Sequence, residues 1–192
     1  MTGAQRRNMY SKARIAGHPI HPMLVALPVG MYVATVAALL GYVGTSDPFY
    51  YRAALVANVA GVVTALVAAI PGAIDLFSLP RHSSARVSGI KHASFALLTT
   101  GLYAVSAAVM WREWSQGGVL NASIPLAITI VGALALVIVG ALGWTMVQTH
   151  HVGVKPSLRP GTRAAADSEE FDDISTPPPV SNGHRGDHYF HH

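Results

Sequence analysis

The run AALVANVAGVVTALVAAIPGAI, residues 53–74, decides the fold of this chain because it contains no charged residue. It is longer than the ~20 apolar residues that an α-helix needs to cross ~30 Å of hydrocarbon. Runs at residues 22–44, 93–111 and 117–149 are equally free of charge. We therefore predict an all-α, integral membrane four-helix up-down bundle, with spans at about 22–44, 53–78, 90–111 and 118–149.

The composition supports a membrane protein. Of 192 residues, 51% are hydrophobic and 11% are charged, and the mean hydropathy is +0.38. Soluble domains carry about 25% charged residues. The chain has no cysteine, which excludes disulfides, thiolate zinc sites and cysteine-held iron–sulfur clusters. The pI of 9.6 reflects basic residues at span ends, so we expect a lipid bilayer as partner and no nucleic acid.

The basic residues also predict orientation. Eleven of the thirteen Lys and Arg residues fall in the N-terminal segment 1–16, the middle loop or the region after the fourth span, whereas Arg52 and Arg112 fall on the other side. The positive-inside rule then places both termini in the cytoplasm of a multi-pass inner-membrane protein. The first run is too long for a signal-peptide core, so we interpret it as a retained anchor. Residues 17–154 form the predicted transmembrane domain, and residues 155–192 a disordered cytoplasmic tail.

Two side-chain patterns carry packing predictions. Aromatic residues near the short outer loops suit an interfacial belt: Tyr50, Tyr51, Trp111 and Trp114. Small residues recur every four positions in two spans, where close helix packing in lipid requires them: Gly61, Ala65 and Ala69 in the second, and Ala96, Thr100, Ala104 and Ala108 in the third.

Ionisable residues cluster at one end of the predicted bundle. His18 and His21 precede the first span, Asp75 lies near the end of the second, His92 opens the third and His150 ends the fourth. Ionisable groups at membrane depth are costly and usually face the bundle interior. Helical phase puts three of them on small-residue faces, so we predict that they converge at the cytoplasmic end.

The stretch HPIHP, residues 18–22, adds a conformational argument. A residue before proline is pushed toward extended geometry, and polyproline II has three residues per turn. His18 and His21 would then project from the same side of an extended segment. Pro22 suits the first turn of the following helix. The alternative is that these histidines only cap the helix ends through ring N–H bonds to free carbonyls.

Four motifs in order resemble a bacterial membrane family. They are GHPIHPMLVALPVG (17–30), GAIDLFSLP (72–80), SGIKHASFALL (88–98) and GWTMVQTHHVGVKP (143–156). The resemblance is to domain-of-unknown-function family 2231, whose usual ending has Tyr, Arg and Gly where this chain has Gln148, Thr149 and His151, while His150 is kept. Some relatives are joined to a Rieske-type iron–sulfur domain, so the resemblance implies electron transfer and a redox partner protein.

These patterns favour a redox membrane protein that binds haem b through His18, His21, His92 and His150, with Asp75 orienting an imidazole. His92 and His150 are the first pair to test. The same residues could instead hold a transition metal. The other alternative is a cofactor-free scaffold or accessory subunit. A homo-oligomer is compatible with either interpretation. No hydrolase or transferase motif is present, and proton-coupled transport lacks an ionisable group at mid-membrane depth.

Overall fold

A computed structural model of the protein describes residues 14–15, 18–117 and 120–149, with side chains from residue 20 onward. Two short strands pair antiparallel ahead of the helices, β1 (Arg14–Ile15) and β2 (His18–Pro19). The helices are α1 (Ile20–Leu24), α2 (Ala26–Thr45), α3 (Pro48–Ser78), α4 (Ser84–Ser115) and α5 (Ser123–Gln148). The predicted all-α membrane fold is confirmed, while the predicted tail lies outside the described residues.

Local chemistry sets the helix ends. The first span is broken at Val25, because Pro28 has no N–H to donate to the carbonyl of Leu24. Helix α3 begins with proline at its first position, and the Asp47 side chain accepts a 2.9 Å bond from the amide of Phe49. Helix α4 begins at residue 84, well before the predicted 90, because the Ser83 hydroxyl caps the amide of Arg86 at 3.2 Å.

The four long helices form two antiparallel hairpins. Helix α2 packs along α3, and α4 packs along α5; contacts between α3 and α4 and between α2 and α5 close the bundle. Each span has an 18-residue window with mean hydropathy between 1.6 and 2.6 and little internal burial. Large apolar side chains such as Leu134 and Val137 point outward. The hydrophobic surface of the bundle therefore faces lipid.

Two stacked tyrosines occupy the centre of the bundle. The rings of Tyr32 and Tyr103 lie 3.9 Å apart at an interplanar angle of 21°, and both are buried. Each ring rests on a glycine of the adjacent helix. A Cβ added to Gly61 would lie 2.7 Å from the Tyr32 ring, and one added to Gly132 would lie 2.7 Å from the Tyr103 ring. The glycines therefore set the distance between the two helices of each hairpin, and the stacked rings set the distance between the hairpins.

The two hairpins repeat one another with an offset of 71 residues, the separation of Tyr32 and Tyr103. Two pairs of equivalent residues meet across the bundle, Tyr32 with Tyr103 and His21 with His92. Such contacts are those of an isologous interface around a two-fold axis. Several residues are identical at this offset: His21 and His92, Gly30 and Gly101, Tyr32 and Tyr103, Gly61 and Gly132, Gly72 and Gly143. Several buried positions also correspond: Thr35 and Ser106, Leu39 and Met110, Ala54 and Pro125, Asn58 and Thr129.

One residue of the predicted aromatic belt is misplaced. Tyr51 is fully buried, and its hydroxyl donates a 2.8 Å bond to Glu113 Oε2. Glu113 also accepts a 3.0 Å bond from the amide of Asn121. The other belt residues are at least partly exposed, with Trp114 under the guanidinium of Arg52 at 4.8 Å. Tyr51 can be buried because the Glu113 carboxylate accepts the hydrogen bond that a buried phenol hydroxyl needs to donate.

The small-residue stripes are also only partly right. Ala69, Ala104 and Ala108 are exposed, although Gly61 is buried and Ala65 is half-buried. The inward face of α4 instead carries Gly89, Thr99, Tyr103, Ser106 and Met110. A strict four-residue repeat drifts around a helix with 3.6 residues per turn, so the far end of each stripe rotates toward lipid.

The glycine beneath Tyr32 provides a test of this packing. Replacing Gly61 with Ala places a methyl group against the ring, and we expect the free energy of unfolding to fall by ~1–3 kcal/mol. Thermal unfolding in detergent, followed by near-ultraviolet circular dichroism, measures the loss. Gly30→Ala is the matched control, because nothing lies within 4 Å of its added Cβ. Equal stability of the two variants would contradict the tyrosine packing.

Candidate functional site

His21 lies in α1, at the end of the bundle that we call the histidine end. Its Nδ1 is 2.8 Å from the carbonyl oxygen of Ala68 on α3. Its ring rests on Gly72, where an added Cβ would lie 2.8 Å from Nδ1 and Cε1. The predicted extended segment carrying both His18 and His21 is wrong, because the strand ends at Pro19 and His21 is helical.

His92 occupies the equivalent place in the second hairpin. Its Nδ1 is 3.1 Å from the carbonyl oxygen of Val139 on α5. Its ring faces Gly143, where an added Cβ would lie 3.4 Å from Cε1. Both histidines bond a carbonyl 47 residues further along the chain, and both rest on the glycine one helical turn beyond it. The two sites are thus the same structure built twice.

The two imidazoles face each other across the bundle axis. Their ring centroids are 6.3 Å apart, and the ring planes are nearly perpendicular, at 86°. Both side chains are half-buried. The structure therefore brings together two of the predicted site residues, contributed by different hairpins.

The hydrogen bonds define the tautomer of each ring. A backbone carbonyl can only accept, so Nδ1 must carry the proton in both His21 and His92. The remaining nitrogen, Nε2, then keeps its lone pair when the ring is neutral. Metal-binding histidines commonly donate their second ring N–H to a carbonyl, which fixes the ring orientation. Both rings therefore have the tautomer that leaves Nε2 free to accept a hydrogen bond or bind a metal.

Asp75 lies at the same end, on α3. It follows Gly72 by about one turn and is half-buried, and its carbonyl accepts a 2.7 Å bond from the Ser78 hydroxyl. This places Asp75 on the helix face that carries Ala68 and Gly72. Its proposed role in orienting an imidazole stays a prediction.

The other two predicted ligands fall outside the described side chains. The backbone of His18 lies in β2, and His150 follows the last described residue. The predicted first pair, His92 with His150, therefore stays a prediction, whereas the structure pairs His92 with His21.

The ligand count limits what the site can hold. Among the described residues, no group of three or more His, Asp or Glu side chains could hold a metal ion. Two axial imidazoles satisfy a haem iron, because the porphyrin supplies the other four nitrogens. A bare transition metal would need further ligands, and the sequence analysis offers His18 and His150 for this role.

The symmetry of the site is a feature that our sequence interpretation missed. The signal was present as identical residues at a fixed offset, but these are few and dispersed among apolar residues that match by composition alone. Internal repeats are common in membrane proteins and show only as weak internal similarity. The contacts between equivalent residues make the repeat evident.

Comparison with known families gives one match. The family described as predicted membrane protein (DUF2231) matches residues 17–156, which include both hairpins and all five predicted site residues. Searches of the curated proteins and of the solved structures gave no significant match. The matched region covers well over half of the 192 residues, and the four long apolar helices agree with the family description. The chain is therefore a member of the DUF2231 family of membrane proteins.

Proposed function

We propose that the protein is a membrane redox protein in which His21 and His92 would hold one haem b at the histidine end. A bound haem would supply one-electron transfer through its iron. The chain would supply two imidazoles, from α1 and α4, to this single centre. The redox partner would be a second protein that reaches this end of the bundle.

The spacing of the two rings is the observation that carries this proposal. Two imidazoles bound to opposite sides of one metal have centroids roughly 6 Å apart, from two ~2.0 Å metal–nitrogen bonds and the two ring radii. The rings of His21 and His92 are 6.3 Å apart. Together with two Nδ1–H donors fixed by carbonyls, this spacing is compatible with one metal centre held by both imidazoles.

A cofactor-free scaffold is the second candidate, and one observation favours it. Each histidine bond joins two helices of the same hairpin, α1 to α3 and α4 to α5. Hydrogen bonds between helices in lipid stabilise a bundle without any ligand. In that case the histidine pair stabilises the hairpins, and the protein acts as an accessory subunit.

We further propose that the histidine end faces the cytoplasm of a bacterial inner membrane. Arg81, Arg86 and Lys91 lie at this end, and the sequence ahead of α1 carries four further basic residues. The opposite end carries Arg52 and Arg112, together with the acidic residues Asp47 and Glu113. This asymmetry follows the positive-inside rule.

Visible spectroscopy tests the haem proposal directly. Protein purified from its native membrane should show a Soret band and a sharp α-band after reduction, with one haem per chain. His21→Ala and His92→Ala should each lose most of this absorbance, because each removes one axial ligand. His82→Ala is the control, since this exposed histidine lies in the connection between α3 and α4.

A colourless wild-type protein would overturn the haem proposal. Metal analysis of the same sample then decides the next step, because a bound transition metal would move the assignment to a bare ion. Protein free of both, with His92→Ala merely less stable, would support the scaffold.

The glycine beneath His21 provides a second test that keeps both imidazoles. Gly72→Ala pushes the His21 ring away, and we expect haem retention to weaken by roughly 10-fold, as when a ligand's supporting contact is lost. Gly143→Ala adds an ordinary contact at 3.4 Å and should retain haem almost fully. Haem titration into the apoprotein measures both affinities. Equal haem affinities of the two variants would show that the contact between His21 and Gly72 does not position a ligand.

Orientation can be measured with single cysteines, because the chain has none of its own. His82→Cys marks the histidine end, and Tyr50→Cys marks the opposite end. We expect a membrane-impermeant maleimide to label Tyr50→Cys in spheroplasts and His82→Cys only after permeabilisation. The reverse pattern would place the histidine end outside.

A further inference from the structure

A group of uncharged polar side chains is buried between the tyrosine stack and the end opposite the histidine end. Asn58 on α3, Ser106 on α4 and Thr129 on α5 are each fully buried. Asn58 precedes Gly61 by one turn, on the side away from the histidine end. Asn58 and Thr129 are equivalent positions of the repeat, so both hairpins place a polar group at this depth.

Side-chain and backbone contacts connect these groups into one cluster. Asn58 Nδ2 and Ser106 Oγ each lie 3.9 Å from Met110 Sδ. Ser106 Oγ is 3.4 Å from the carbonyl oxygen of Pro125, which also accepts a 2.9 Å bond from Thr129. The Asn58 amide and the Ser106 hydroxyl therefore both contact the same sulfur atom.

The amide oxygen of Asn58 is the unexplained atom in this cluster. It is buried and has no hydrogen-bond partner among the described residues. The Thr129 hydroxyl already donates its proton to the Pro125 carbonyl oxygen. Both contacts of the Ser106 hydroxyl are long. A buried amide oxygen without a donor is costly and needs an explanation, of which a bound ligand is one.

We propose that Asn58 Oδ1 and Ser106 Oγ bind a single water molecule inside the bundle, between the tyrosine stack and the end opposite the histidine end. A water molecule donates to the amide oxygen and can accept from the serine hydroxyl, which replaces its two long contacts with a short one. Buried water typically occupies such sites, with two to four polar partners.

The chemistry of the cluster favours water over a cation. Its groups are an amide, two hydroxyls, a thioether and a backbone carbonyl, and none carries a negative charge. A dehydrated cation without a countercharge is expensive at this depth. The Met110 thioether is also a poor ligand for a hard cation such as Na⁺. This inference does not depend on the haem proposal.

Magnetisation transfer from water tests the site in the intact protein. Asparagine-labelled protein in lipid bilayers is studied by solid-state NMR, and the Asn58 side-chain signal is assigned by its loss in Asn58→Leu. We expect a water cross-peak to the Asn58 amide protons at short mixing times. Its absence in the wild-type protein would overturn the proposal.

The repeat provides a matched pair of variants for the same experiment. Ser106→Ala removes the second water partner and should reduce the cross-peak at least several-fold. Thr35→Val changes the equivalent residue of the first hairpin, whose hydroxyl already donates to Met31 at 2.8 Å, and should leave the cross-peak unchanged. A cross-peak that falls equally in both variants would indicate unspecific hydration and overturn the proposed site. An Asn58 signal that shifts with added NaCl or KCl would indicate a bound cation in place of water.

Discussion

The stack of Tyr32 on Tyr103 is the contact on which the rest of the structure depends. Within lipid, apolar side chains gain little by leaving one hydrocarbon for another, so helices associate through close packing and polar contacts. Two aromatic rings 3.9 Å apart, each resting on a glycine, provide the close packing. The Tyr103 hydroxyl, 3.3 Å from the carbonyl oxygen of Tyr32, provides a polar contact.

Because the stack joins equivalent residues, it also creates the site at the histidine end. A two-fold relation between hairpins brings any residue near the axis opposite its own equivalent. An imidazole near the axis must then meet a second imidazole, and His21 meets His92 at 6.3 Å. A pair of neighbouring imidazoles therefore arises from one hairpin design used twice. The repeat is not exact: the ring of His21 sits closer to its glycine than that of His92, and Asp75 has Met146 as its equivalent.

Much of this organisation was predictable. Four uncharged runs predicted the helices, and the depth of the ionisable residues predicted that His21 and His92 would share one end. The errors concern rotation of helices about their own axes. Tyr51 lies near a predicted interface, but whether it faces lipid or the core depends on the position of Glu113, which is 62 residues away in the sequence. The exposed Ala104 and Ala108 show the same uncertainty for α4.

The sequence by itself determined the membrane fold, because the absence of charge over lengths that span hydrocarbon leaves a helix as the way to satisfy the backbone. It also placed the histidines near one end, since depth along a helix follows directly from position in the chain. The tertiary structure alone decided which imidazoles pair, because pairing depends on how two hairpins meet. That geometry comes from the stack of Tyr32 on Tyr103, two residues 71 positions apart in the sequence, and helical periodicity within one segment carries no information about it.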